Sequence, residues 1–326
     1  MVILKRAILR LLKEFRPEYV SGEDICKKFN VTRTAVWKHI QALREDGYEI
    51  EARPRAGYSL VSVPDRLYAE EILDGLNSKF FGHEVYYYDS VSSTNDVAKE
   101  LALQGARDGS LVVAEEQTGG KGRLGREWYS PKYKDIKFSL LLYPPVNPSE
   151  ASQVTMVTAV AMALAVRKKT GVPAGIKWPN DLLVEGRKIC GILTEMSAEL
   201  DKINYLVVGA GLNVNQELAD FPEEVRDIAT SLKVEKGVEL ARVSLLQAIL
   251  EEYEQWYMLW LEQGFSVILA KWKELSVSLH CPVRIHTLNK SWEGWAEDVD
   301  ADGALLLRLP DGGLQRLIAG DVSLRV

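Results

Sequence analysis

Apolar residues at Ile3, Ala7, Ile8 and Leu11 recur with a helical period and predict a first helix at the start of the chain. Ser21, with Asp24 three residues on, has the form of a helix cap; Ile25 and Phe29 give the helix that follows an inward face, and Asn30 ends it. Thr32 caps a third helix, TRTAVWKHIQALREDG, with Ala35, Val36, Ile40 and Leu43 as its buried stripe and Gly47 as its stop. Two β-prone runs then flank Arg53-Pro54-Arg55-Ala56-Gly57 and read as a hairpin, with Pro64-Asp65 as a linker. Residues 1–65 therefore predict a winged helix-turn-helix.

From 66 to 273, β-rich runs (LVVAEE, KFSLLLY, INYLVVGAGLNV) alternate with helical patterns at 94–104, 151–169 and 240–272, which predicts a mixed α/β domain. The tail, 274–326, is strand after strand, turned by Asp-Ala-Asp-Gly at 300–303 and Pro-Asp-Gly-Gly at 310–313, and should form a small antiparallel β-barrel. The fold class is thus α+β in three parts. The longest nearly apolar run, Val154 to Val166, is shorter than the roughly 18 residues that a membrane span needs, and reads as a buried core helix. The N-terminus interleaves charge with apolar residues from position 5, unlike a secretory signal, so a cytoplasmic address and no membrane partner are expected.

Charge changes this picture. Residues 1–62 carry 12 Lys and Arg against 8 Asp and Glu, although the whole chain has a net charge of −6. A basic head on an acidic body suggests that the head meets a polyanion. In a helix-turn-helix the second helix enters the major groove, and here Thr32, Arg33, Thr34, Trp37, Lys38 and Gln41 lie opposite or beside its buried stripe. Arg53 and Arg55 on the wing would reach adjacent phosphates. The competing reading is a protein-docking module with a solvated basic face. One domain of this size reads a half-site, so operator recognition would need a dimer and an inverted repeat.

Three cysteines, Cys26, Cys190 and Cys281, are far apart, without a CxxC and with only four histidines in the chain, so neither disulfides nor a protein-held metal is expected. Chemistry concentrates elsewhere. The segment from Gln117 to Trp128 combines Gly120, Gly122 and Gly125 with Lys121, Arg123 and Arg126: glycines expose backbone N–H groups and the cations suit phosphates. Its GxGxxG spacing also fits a dinucleotide fingerprint, but no helix pattern opens after it as that fold requires, and a flexible basic loop is the plainer alternative. A second cluster, Lys177-Trp178-Pro179-Asn180-Asp181 followed by Arg187-Lys188-Ile189-Cys190-Gly191, places two lysines, an amide and a carboxylate around a hairpin. Lys188, beside a buried strand, could neutralise an acyl carboxylate and a phosphate together or simply snorkel at a sheet edge.

Taken in order, these motifs resemble the bifunctional biotin protein ligases, also called biotin operon repressors. The resemblance runs through the winged head, Ser93-Thr94-Asn95, the 120–126 loop, Lys177 to Asp181, Lys188 and Gly191, Gly209-Ala210-Gly211-Leu212-Asn213-Val214-Asn215, and Gly320-Asp321-Val322-Ser323-Leu324-Arg325. It implies a central biotin/lipoate ligase-like domain and an SH3-like C-terminal barrel. It implies biotin contacts at Ser93, Thr94, Asn95, Gln117, Gly120, Lys121, Gly122, Arg123, Lys188, Gly191 and Gly209. It implies nucleotide contacts at Arg123, Arg126, Trp128, Lys177, Asn180, Asp181, Lys188 and Asn213. This chain departs from the family at Lys121, where arginine is usual and where lysine keeps the charge but loses the bidentate fork, and in the stretch Tyr133 to Lys137, more often glycine-containing.

The implied activity has two steps: biotin and ATP, with Mg2+ accompanying the nucleotide, give biotinyl-5′-AMP and pyrophosphate, and a lysine of biotin carboxyl carrier protein then takes the biotin. Lys188, Arg123 and Lys121 would offset repulsion between the reacting anions, with Asp181 orienting Lys188 or the incoming lysine. The adenylate-bound form would be a homodimer that binds operator DNA, making the intermediate a corepressor as well. A lipoate ligase, or a ligand-sensing repressor without transfer activity, are the alternatives.

Overall fold

The computed structural model describes residues 2–129, 131–287 and 290–324; Arg325 of the motifs above lies outside them. The chain folds as two compact units, Met1–Arg66 and Leu67–Val326.

The first unit holds α1 (Val2–Glu14), α2 (Gly22–Phe29), α3 (Arg33–Glu45) and the antiparallel hairpin β1 (Glu49–Arg53) and β2 (Gly57–Ser62). Its helices start where the sequence places caps: Ser21 Oγ accepts from Asp24 N at 3.0 Å and Thr32 Oγ1 from Ala35 N at 3.2 Å. Asn30, at φ 52°, turns the chain out of α2. Ile8, Leu9, Leu11, Leu12, Ile25, Val36, Ile40, Leu43 and Leu60 form the core. Ile3, expected on the inward face, is instead 86% exposed: it sits in the first turn of α1, and the buried stripe begins only at Ile8. Gly57 is a steric requirement, since at φ +113° a Cβ there would lie 2.1 Å from Val20 O, the carbonyl that accepts from Tyr58 N.

The second unit is built on a seven-stranded sheet ordered β3-β4-β5-β9-β8-β7-β6. The strands are β3 (Val85–Tyr88), β4 (Ser110–Ala114), β5 (Asp135–Leu142), β6 (Gly175–Lys177), β7 (Asp181–Val184), β8 (Arg187–Ala198) and β9 (Ile203–Asn213), and only β3 with β4 is parallel. A short α4 (Ala69–Leu73) precedes it. Helix α5 (Thr94–Leu103) packs Ala98 with Val112, Leu141 and Val207 on one face.

Helix α6 (Ala151–Thr170) lies in the core of the other face and buries Val154, Val157, Ala159, Ala161, Met162 and Val166. The segment Pro148–Thr170 has the length and apolarity to cross a membrane, which is also what a helix enclosed on nearly all sides requires. A short α7 (Leu232–Lys236) follows the sheet. The pattern read as one helix at 240–272 is two, α8 (Arg242–Gln263) and α9 (Phe265–Leu275), because Gly264 adopts φ 80° and ψ −178° and no turn of helix passes through it. Strands β10 (Pro282–His286), β11 (Ser291–Val299), β12 (Leu305–Arg308), β13 (Leu314–Leu317) and β14 (Asp321–Ser323) form a five-stranded antiparallel sheet ordered β13-β12-β11-β10-β14, closed over Val283, Ile285, Ala296, Leu305, Leu307 and Val322.

Side-chain alternation in the large sheet puts Gly209, Gly211 and Asn213 of β9 on the α5 face, with Ser139, Lys137 and Asp135 of β5 opposite them in that order. On the other flank Leu193 and Gly191 of β8 face Gly209 and Gly211. A row of missing side chains thus runs through the middle of the sheet.

The loop before β3 is held by carboxylates on α8: Glu251 accepts from Asn77 N at 3.0 Å, and a second grips the residues that follow. Glu254 accepts from Ser78 Oγ and from the backbone N–H groups of Lys79 (2.9 Å), Phe80 (2.7 Å) and Phe81 (3.3 Å). Burial raises its pKa, but these donors more than offset that and hold it below the usual carboxylate range. A depressed folded-state pKa gives stability that is present above the unfolded value and lost as pH falls through the folded one. Glu254→Gln is expected to cost about 1–3 kcal/mol at neutral pH, with the gap between variant and wild type closing in acid; urea denaturation across pH checks it.

Candidate functional site

Ser93 occupies the N-cap of α5, and Thr94 and Asn95 open the helix over the glycine row, all three buried. Gln117 Oε1 accepts from Thr94 N at 2.7 Å and Thr94 Oγ1 at 2.9 Å, and Ser139 Oγ lies 2.6 Å from Asn95 Oδ1 and 2.8 Å from Thr94 Oγ1. Asn95 can lie flat on β9 only because position 209 is glycine: a Cβ there would be 2.1 Å from Asn95 Oδ1. The polar chain continues outward, with Asn95 Nδ2 donating to Glu195 Oε2 at 2.7 Å, and Lys99 bridging Glu195 and Asp96. Lys121 reaches this chain from the glycine loop through Asp96 at 2.6 Å. Burial raises the Asp96 pKa, yet Lys121 and Lys99 together hold it below the ordinary range.

The glycine loop folds back on itself. Its entry is tied by Thr118 N to Val91 O and Gly119 N to Ser92 O, both 2.9 Å, and it closes through Gly122 N to Arg126 O (2.7 Å) and Trp128 N to Gly120 O (2.9 Å). Only one 3-10 turn, Arg123–Gly125, interrupts it, so no helix N-terminus is presented and the dinucleotide-fold alternative has no structural counterpart. Arg123 Nη1 donates to Asn180 Oδ1 at 2.9 Å and Gly320 O at 3.3 Å, and Arg126 pairs with Asp321 at 2.6 Å. Burial lowers the Arg123 pKa, with Asp181 and Asp321 opposing that shift. The indole of Trp128 lies against the sheet where Gly191 and Gly211 face each other; a Cβ on Gly211 would sit 2.5 Å from the ring. Trp128 Nε1 is buried and has no hydrogen-bond partner among the described residues, and Lys188 Nζ stands 5.4 Å from the ring centroid.

Beside that ring the second cluster comes together as the hairpin of β6 to β8 dictates. Asp181 takes Lys188 at 2.6 Å and Lys177 at 3.2 Å, and Lys177 also donates to Val322 O at 3.1 Å. Burial raises the Asp181 pKa, but Lys188 and Lys177 outweigh it and keep the carboxyl below its ordinary value, so it stands ionised at neutral pH. Asn180 braces the strand through Nδ2 to Ile192 O at 2.7 Å, which aims its oxygen at Arg123. Asn213 is not brought to this group by any direct bond: it is buried, donates to Thr230 O at 3.0 Å and accepts from Gln216 at 3.1 Å.

In the head, Arg33, Thr34, Trp37 and Lys38 are exposed on α3, with Trp37 at 53%, and Gln41 is half-buried. Thr32 is exposed and also caps the helix. Arg53 and Arg55 are both exposed on the wing, and Arg53 also rests 4.7 Å above the Tyr19 ring and 3.2 Å from Glu51.

Sequence reasoning missed Asp96, Lys99, Ser139 and Glu195 in the network around Asn95, and Asp135, Lys137 and Gln216 deeper in the sheet. Asp135, Lys137 and Ser139 had a legible signal: polar residues at every second position of an otherwise apolar strand face one way.

Known proteins match the chain part by part. Family models match residues 5–59 (HTH domain), 87–213 (biotin/lipoate A/B protein ligase family) and 282–325 (biotin protein ligase C terminal domain). The chain is 39% identical to the bifunctional ligase/repressor BirA of Bacillus subtilis, over 98% of each chain, and 30% identical to that of Escherichia coli over 94% of each. Among solved structures, the biotin protein ligase of Aquifex aeolicus in complex with biotin and ATP superposes with a TM-score of 0.64 at 29% identity, covering 74% of this chain and 99% of that one. The chain belongs to the family of bifunctional biotin protein ligases and repressors.

Gly211→Ala is expected to lift Trp128 from its seat, because a ring and a methyl group cannot share 2.5 Å. The change should appear as a red shift of tryptophan emission that is absent when Gly211→Ala is made in a Trp128→Phe background.

Proposed function

We propose that the chain is an ATP-dependent biotin protein ligase that makes biotinyl-5′-AMP and passes the biotin to a lysine of a biotin carboxyl carrier protein, and that its head represses biotin genes with the adenylate as corepressor. The observation that carries the ligase reading is the common floor of two subsites. Asn95 lies on Gly209 and Trp128 on Gly211 and Gly191, with Lys188 over the ring, so a polar pocket and a cation-rich pocket adjoin along one strand.

Biotin takes the Ser93, Thr94, Asn95 and Gln117 side, roofed by Gly120, Lys121 and Gly122. The nucleotide takes the side of Arg123, Arg126, Trp128, Lys177, Asn180 and Asp181. A carboxylate oxygen attacks the α-phosphorus, the bond to pyrophosphate breaks, and negative charge builds between two anions; Lys188, Arg123 and Lys121 are placed to offset it. Asp181, being ionised, orients Lys188 and does not act as an acid. Asn213 serves the nucleotide side through the segment it braces.

In the second step the neutral amine of the carrier lysine attacks the acyl carbon, AMP leaves, and the amine proton is lost. Mg2+ would enter with the triphosphate, whose oxygens supply most of its ligands.

Arg33, Thr34, Trp37 and Lys38 offer the head's exposed donor face, and a homodimer of adenylate-bound chains would present two such faces to an inverted repeat. Footprinting with biotin and ATP should then protect two half-sites; protection of one half-site alone would rule the dimer out.

The ligase reading is tested with ATP, Mg2+, labelled biotin and a carrier domain. Label should reach the carrier, and Lys188→Ala should slow pyrophosphate release by roughly 10² to 10³, the scale for removing one preorganised charge stabiliser. Normal release by that variant would remove Lys188 from the mechanism, and activation of lipoate in place of biotin would overturn the substrate.

A further inference from the structure

Under the Trp128 seat lies an ion pair that the two half-reactions do not use. Lys137 and Asp135 have no exposed side-chain surface and are bonded to each other on β5, on the face that carries the site. A fully buried lysine is rare unless paired, because desolvation of the ammonium is costly. Burial lowers its pKa, while Asp135 opposes that shift.

The pair is joined to both segments that flank the nucleotide side. Lys137 Nζ donates to Pro131 O at 3.4 Å, the exit of the glycine loop. Asp135 Oδ2 accepts from Gln216 Nε2 at 3.4 Å; the same nitrogen donates to Asn213 Oδ1 at 3.1 Å, and Asn213 Nδ2 donates to Thr230 O at 3.0 Å. Thr230 in turn donates its N–H to Lys188 O at 2.9 Å, and Ser231 Oγ closes the chain on Gln216 O at 2.6 Å. One buried chain of polar contacts therefore runs from the base of the loop bearing Arg123, Arg126 and Trp128 to the strand bearing Lys188. Lys137 is its link to the loop, directly across β5 and β9 from the glycine on which Trp128 rests.

We propose that Lys137 is a positioning residue for the nucleotide half of the reaction: with Asp135 it fixes the exit of the glycine loop relative to the Lys188 strand, and so sets ATP binding and retention of the adenylate without touching either. The proposal rests on the ligase reading above. It separates the two subsites, because the biotin side hangs on Thr94, Asn95, Gln117 and Ser139, none of which bonds to Lys137.

Removing Lys137 alone would leave the buried Asp135 carboxylate without its ammonium counter-ion, so the test uses two neutral pairs. Asp135→Asn with Lys137→Gln keeps a donor toward Pro131 O and an acceptor for Gln216; Asp135→Asn with Lys137→Met keeps only the acceptor. For the methionine pair the KM for ATP in biotin-dependent pyrophosphate release and the rate of biotinyl-5′-AMP escape should each rise about 10-fold, the worth of one hydrogen bond. Biotin affinity and the rate of transfer from preformed adenylate should hold within about 3-fold, and the glutamine pair should stay within about 3-fold of wild type throughout. Unchanged ATP KM and adenylate escape in the methionine pair would overturn the proposal. So would an equal loss of biotin and ATP binding in both pairs, which marks a packing role only. Failure of the wild type to make adenylate would strike the ligase reading itself, and this proposal with it.

Discussion

The site depends on backbone that carries no side chain. Gly209, Gly211 and Gly191 leave a bare strip on β8 and β9, and every other feature of the site is arranged on or around it: Asn95 presses onto the first, Trp128 onto the other two. In a strand interior glycine weakens the sheet, because it loses more freedom on folding and packs nothing in return. That cost is tolerable here because β9 is flanked on both sides by long antiparallel partners, β5 and β8, which hold its register over nearly its whole length. The flat strip then lets two segments distant in sequence, the start of α5 and the glycine loop, meet one strand at van der Waals distance.

Charge is handled differently at the surface and in depth. Lys121 with Asp96 and Arg126 with Asp321 are partly exposed pairs, screened by solvent and worth little to stability, which is what suits groups that must exchange partners when an anion arrives. Arg242 with Glu115 and Lys137 with Asp135 are wholly enclosed. Breaking an enclosed pair by removing one partner strands the other, so such pairs resist change and hold elements in fixed relation. Asp181 lies between the regimes: enclosed, but with Lys188 a third exposed on the side where chemistry takes place.

Much of the architecture was legible because it is local. The caps at Ser21 and Thr32, the stop at Asn30 and the hairpin around Arg53 to Gly57 follow from residues within a few positions of one another. The break at Gly264 was hidden because apolar periodicity continues through it, and Ile3 was misplaced because periodicity says nothing about where a core ends. The site residues that came through were those in compact motifs. The ones that did not, Ser139, Glu195 and Gln216, bond to partners 44, 100 and 81 positions away respectively, and only the tertiary fold shows which partner each one meets.

Trp178 has a bearing on how such a chain can vary over generations. Its neighbours Lys177 and Asp181 face the site, but its own indole donates to Gly303 O at 3.1 Å and its N–H to Ser278 Oγ at 3.0 Å, pointing away into the C-terminal sheet. From that sheet Gly320 O, Asp321 and Val322 O reach back to Arg123, Arg126 and Lys177. Five consecutive residues thus answer to two masters, the pocket on one side and the tail on the other. Recombination that exchanged the tail between distant relatives would have to carry a matching tryptophan seat with it. Inheritance should treat that motif and the last forty-odd residues as one block, however separate they look along the chain.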